Sequence, residues 1–143
     1  MQDAIRIEGG DWASLGKDAF VVRREVFVLE QAVPEELERD AFDDTSVHAV
    51  AYDELGSPLG TGRLLPDGHI GRMAVRRLAR GQGVGGRILS FLVDAARRAG
   101  HQSVVLNAQF HAQAFYRAHG FAAHGPVFQD AGIDHVMMTR HLR

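Results

Sequence analysis

The chain has 143 residues, 45% of them hydrophobic and 24% charged, which suits one globular domain spanning residues 1–143 and burying roughly two-thirds of its unfolded surface. With 16 Lys and Arg against 18 Asp and Glu, the net charge of −2 argues against nucleic acid as a partner, and the absence of cysteine excludes disulfides, thiolate metal sites and a covalent cysteine intermediate. The acidic N-terminus is unlike a signal peptide and no run is long enough to span a membrane, so a cytoplasmic protein with no membrane partner is expected.

In chain order, "AIRIE" alternates like a short strand that Gly9-Gly10 breaks. From about Ser14 to Glu30 the spacing turns helical, with Leu15, Ala19, Val22 and Val26 on one face and Phe20 and Phe27 nearby. A polar stretch from Pro34 reads as a short helix or loop. "VHAVAYD", "PLGTGRLL" and "HIGRMAV" then read as an antiparallel meander, turned at Leu55-Gly56-Ser57 and at Asp67-Gly68. A helix follows, with Val84, Ile88, Leu89, Leu92, Val93 and Ala96 on one face and Gly100 at its end. Because that helix is a crossover, "SVVLNA" should lie parallel to "HIGRMAV". A short helix closed by Gly120 and two further strands complete the chain.

"ARGQGVGGRIL", Ala79 to Leu89, stands out. Glycines 81, 83, 85 and 86 crowd the start of the crossover helix, between Arg80 and Arg87. A single glycine would cap a helix; this many suit a backbone that an anion must approach closely, since a helix N-terminus offers unpaired N–H groups. Gly81 to Gly86 matches the dinucleotide fingerprint G-x-G-x-x-G literally, but residues 76–80 intervene after the strand, and the next strand ends at Asn107 rather than at an acidic residue. No Lys-Ser or Lys-Thr follows, which excludes a P-loop. What remains is a pyrophosphate ligand of another kind.

"RGQGVG", with "IGRMAV" before it and "NAQFHAQAFYRAHGF" after it, resembles the acetyl-coenzyme A motif and second half of the GNAT N-acetyltransferase superfamily, and "RREVFVLEQ" resembles its small bacterial members. The resemblance implies an α/β fold whose mixed, mostly antiparallel sheet is splayed between two parallel strands and flanked by helices. It implies acetyl-CoA as cosubstrate, with Arg80, Gly81, Gln82, Gly83, Val84, Gly85 and Gly86 at the pyrophosphate. By the same resemblance the pantetheine arm lies along Met73, Ala74 and Val75 with Asn107 beside it, Tyr116 protonates the leaving thiolate, and a homodimer is common. Arg76 and Arg77 could meet the ribose phosphate or simply face solvent; Tyr116 also reads as a core tyrosine, and Asn107 as a strand-end turn.

Transfer should be direct, within a ternary complex, since no cysteine can carry the acyl group, and the acceptor expected is a small-molecule or peptide amine. A non-catalytic acetyl-CoA sensor and a nucleotide-binding regulator are the rival readings. Glu30, Glu38, Asp40 and His48 are all candidates for the general base, with His48 also reading as a core histidine. Strand alternation turns Arg63 to solvent; facing a cleft it could hold a carboxylate or phosphate. Six carboxylates between Glu35 and Asp44 would draw cationic amines if the run faces the acceptor, and form a solvated face otherwise. The eight histidines lack a supported i,i+4 pair, so no metal is expected.

Overall fold

The computed structural model describes residues 4–38 and 40–142, with no side-chain description for Leu37. Strands β1 (Arg6–Gly10), β2 (Val47–Tyr52), β3 (Pro58–Leu64) and β4 (Ile70–Val75) form one antiparallel sheet in that order. Strands β5 (Ser103–Gln109), β6 (Ala122–Asp130) and β7 (Ile133–His141) form a second antiparallel sheet, ordered β5-β7-β6. The sheets meet at one parallel bridge, His69 to Val105, where the Val105 amide donates to the Gly68 carbonyl at 3.2 Å. Beyond it no ladder joins β4 to β5. The expected pair of splayed parallel strands is present.

Helix α1 (Trp12–Arg23) starts at Asp11, whose carboxylate accepts from the Ser14 amide at 2.9 Å. The sequence pattern ran on as one helix to Glu30, but Arg24–Glu30 is π-helical, with the Gln31 amide reaching back to the Val26 carbonyl. Leu15, Ala19, Val22 and Val26 are buried as the spacing required; a wider turn keeps such a face on the core, so apolar spacing could not reveal it. Helix α2 (Glu35–Glu38) and a 3₁₀ turn at Ala41–Asp44 follow.

Helix α3 (Val84–Arg98) buries the six residues its pattern named and covers one face of the four-stranded sheet, while α1 covers the other. Helix α4 (Gln113–Ala118) packs Tyr116 into the core with Leu106, Ala108, Val136 and Met138. In β3, six of seven residues are buried because both faces are covered. Alternation with one wet side therefore fails there.

Where β3 meets β4, Thr61 faces Ala74 and Arg63 faces Gly71, so Arg72 and Met73 together oppose Gly62. This is a β-bulge, and Arg72 takes a positive φ of 50° in it. The bulge falls on the strand that borders the opening between the sheets. No helix among the described residues is long and apolar enough to cross a membrane.

Candidate active site

A cleft of about 910 Å³ opens between β4 and β5. Because β4 is the edge of its sheet and pairs with the second sheet only at His69, the backbone of Met73, Ala74 and Val75 is unpaired by any strand on the cleft side. All three residues line the cleft. Met73 and Val75 pack toward α3, and Ala74 packs with Val22 and Val26 beneath α1.

Just past β4, a 3₁₀ turn at Arg77–Ala79 leads into the glycine stretch and the N-terminus of α3. Gly83 caps the helix at φ 80°, and Gly81 has φ 81°, a left-handed backbone that side chains other than glycine adopt at a cost. No heavy atom lies within 4 Å of where a Cβ would stand at either. The first intrahelical bond runs from the Arg87 amide to the Gly83 carbonyl, leaving the amides of Val84, Gly85 and Gly86 at the open end of the helix. Open space, left-handed backbone and exposed donors suit an approaching pyrophosphate.

The arginines around this stretch are engaged by the protein. Arg80 forms a two-pronged ion pair with Glu30, at 2.7 and 2.8 Å, and gives its Nε–H to the Val75 carbonyl. Arg76 donates to Glu25 and to the Pro58 carbonyl, and Arg87 to the Ile5 carbonyl. Arg77 is exposed, with Glu30 at 3.8 Å.

Tyr116 lines the cleft from α4 while being 9% exposed, and it meets Phe115 and Phe121 edge-on. Burial pushes its phenol up to about 12. The group is thus protonated at ordinary pH, as an acid must be before it donates. Asn107 lies inside β5, opposite Met137, not at a strand-end turn: the strand runs one residue beyond "SVVLNA", to Gln109. It is exposed and lines the cleft.

On the α1 side the structure corrects two expectations. Arg63 does not face solvent: it is 4% exposed and donates to Asp40 and Asp43. Nor is most of the acidic run free to draw cations: Glu35, Glu38, Asp40 and Asp43 are each paired with an arginine. Glu38 and Asp43 hold the buried Arg23, while Asp40 also meets Arg72. Burial pushes the Asp43 carboxyl up, but Arg23 and Arg63 outweigh it and keep it below the usual carboxylate range. Arg63 likewise lowers Asp40. Arg39, which dilutes the run in sequence, lies outside the described residues.

The base candidates fare accordingly. Glu30 is taken by Arg80 and lowered by it. Glu38 and Asp40 are held by arginines. His48 is 1% exposed, its Nε2–H donates to the Asp43 carbonyl, and burial lowers it; it is a core histidine.

Residues 11–142 match the model of the acetyltransferase (GNAT) domain family. The chain belongs to the GNAT acetyltransferases. It is 44% identical over 128 residues to the uncharacterized N-acetyltransferase YjcF of Bacillus subtilis, covering 87% of this chain and 91% of that one. In structure it resembles an acyl-CoA N-acyltransferase from Pseudomonas aeruginosa, with TM-score 0.84, 33% identity and coverage of 95% and 99% of the two chains. Escherichia coli ElaA gives TM-score 0.84 at 27% identity, covering 96% and 99%. The chain is accordingly an acetyltransferase, of a family that moves acyl groups from acyl-CoA.

Within this GNAT fold, one feature of the cleft escaped the sequence reading. Gln31, just after the π-helical turn, and Gln109, at the end of β5, exchange amide hydrogen bonds of 2.8 and 3.3 Å across the cleft, and His111 adds a contact of 2.9 Å to Gln109 Oε1. Partners 78 residues apart in an apolar context leave no periodic signal; only the fold brings them together.

Proposed function

We propose that this enzyme transfers an acetyl group from acetyl-CoA directly to an amine within a ternary complex. The observation that carries the reading is the unpaired edge of β4 running into the left-handed Gly83 at the N-terminus of α3, with Tyr116 facing the same cleft. The pantetheine arm would add to Met73, Ala74 and Val75 as another strand would, with Asn107 as a side-chain partner. The amides from Gln82 to Gly86 would receive the pyrophosphate, and Arg80, braced by Glu30, would hold the loop in shape. Tyr116 would give its proton to the thiolate as the tetrahedral adduct collapses. Cytoplasmic residence and a homodimer belong to the same reading, supported by the lack of cysteine and by the family resemblance.

Free thiol released from acetyl-CoA in the presence of a library of amines tests this. Amine-dependent release is expected. Binding of acetyl-CoA with no turnover on any amine would instead favour a sensor.

A further inference from the structure

With Glu30, Glu38, Asp40 and His48 all occupied, the acetyl-transfer reading lacks a group to free the amine from its proton. The far arm of the cleft supplies one. His135 on β7 lines the cleft, is 9% exposed, and sits opposite Gln109 in the β5–β7 ladder. Its Nδ1 lies 2.7 Å from the Ile133 carbonyl. A carbonyl only accepts, so Nδ1 carries the hydrogen and the neutral ring keeps its lone pair on Nε2. Phe128 stacks on the ring at 5.8 Å and 26°, fixing its plane. Among the described residues no group bonds to Nε2, nor is it among the buried polar atoms left without a partner, so on a ring that lines the cleft this nitrogen keeps access to solvent.

The placement complements Tyr116. Adjacent strand residues point to opposite faces, and Val136 packs with Tyr116 in the core. His135 therefore approaches the opening between β4 and β5 from the face away from Tyr116. The other histidines on the cleft wall fit less well. His111 spends its Nε2 on Gln109, and His69 sits at the closed end, at the bridge between the sheets, with its Nδ1 beside Asp67.

We propose that His135 Nε2 is the general base, taking a proton from the acceptor's ammonium directly or through one water. This rests on the acetyl-transfer reading above. The freed amine nitrogen bonds to the thioester carbonyl carbon, the C–S bond breaks, and the thiolate takes the Tyr116 proton. The nitrogen's second proton restores the Tyr116 phenol, and imidazolium His135 releases the first to solvent. One proton leaves per turnover, as ammonium plus thioester giving amide plus thiol requires.

The charged groups around His135 are few. Gln109 from β5 is neutral and already paired; Asp130 and Asp134 come from the β6–β7 hairpin, the latter bonded to Gln129. Facing it across the cleft are the pairs Glu30–Arg80 and Glu38–Arg72, with Asp67 and His69 at the closed end.

His135→Asn tests the assignment, because a carboxamide N–H can still bond the Ile133 carbonyl but cannot accept a proton at cleft pH. The expected result is kcat lowered by about 10²-fold with acetyl-CoA affinity by calorimetry within a few-fold of the parent. The acid limb of kcat/KM for the acceptor should also vanish. A second measurement needs no variant: nitrogen NMR of the parent should show the Nδ1–H tautomer, and the His135 titration should coincide with that acid limb. A variant within about three-fold of the parent and retaining the limb, or a titration that misses it, overturns the assignment. A parent that binds acetyl-CoA yet acetylates no amine overturns the transfer reading itself.

Discussion

Glu30 and Arg80 face each other through two hydrogen bonds of 2.7 and 2.8 Å, and the Arg80 Nε–H reaches the Val75 carbonyl at 2.9 Å. One guanidinium thereby ties the end of the π-helical turn, the end of β4 and the start of the glycine stretch. A lysine keeps the charge but cannot serve that planar fork. Arg80→Lys should therefore weaken acetyl-CoA binding by about 3- to 10-fold in calorimetry with kcat little changed. If charge alone mattered, Lys would bind as the parent does and only Arg80→Ala would lose affinity.

Gly83 separates backbone strain from ligand approach. Its φ of 80° makes Gly83→Ala costly by roughly 1–2 kcal/mol, but asparagine tolerates a left-handed backbone far better. Gly83→Asn should thus melt near the parent temperature while its side chain enters the open space where the pyrophosphate would approach. A loss of acetyl-CoA affinity of about 10-fold or more is expected. At Gly85 a Cβ would meet Phe115 and Val75 at 3.4 and 3.5 Å, ordinary contact, so Gly85→Ala should be close to neutral in stability. Parent-like affinity in folded Gly83→Asn would remove the glycine stretch from the cofactor site.

Tyr116→Phe deletes one oxygen and leaves the edge contacts to Phe115 and Phe121 in place. Turnover should fall by about 10²-fold with acetyl-CoA affinity unchanged. The sign of the pH effect follows from burial: a phenol pushed up to about 12 keeps its proton past the ordinary tyrosine range. The parent's kcat should then show no alkaline fall near pH 10 that Tyr116→Phe removes. Turnover within a few-fold of the parent would make Tyr116 a core residue only.

The parts legible in the sequence are those where one local rule decides. The face of α3 was readable from apolar spacing, because a single helix lay against a single sheet. The glycine stretch was readable because its density has no economical structural explanation. Arg63 was misread since alternation assumes one wet face, and β3 is sandwiched between α1 and α3. Half of the acidic run was misread for a related reason: Glu38, Asp40 and Asp43 meet Arg23, Arg63 and Arg72 from three other elements of the fold, and composition cannot say which charges meet. His135 was lost among eight histidines because its tautomer is set by a carbonyl at a hairpin tip.

The ionic cluster around Asp43 serves stability rather than acceptor choice. Asp43, 3% exposed, accepts from Arg23 at 2.8 Å and from Arg63 at 2.8 Å, and Arg23 itself is 1% exposed beneath the Trp12 ring. Asp43→Asn would leave two buried guanidiniums short of their counter-charge, at a cost of about 3–5 kcal/mol, because the uncompensated charges cannot return to water without opening the segment. The pH sign is that of depressed carboxyls. Asp40 and Asp43 sit below the usual range, so their stabilisation is full above the unfolded carboxylate value near ~3.9 and is lost as pH falls through their folded values. Urea unfolding from pH 7 to 3 should show a parent whose midpoint holds steady and then drops in acid. Asp43→Asn should start lower at neutral pH and decline less steeply in acid, since one of the two titrating carboxyls is gone. Equal midpoints at pH 7 would mean that the cluster stabilises nothing, and the charges of Glu38 and Asp40 would again be open to an acceptor role.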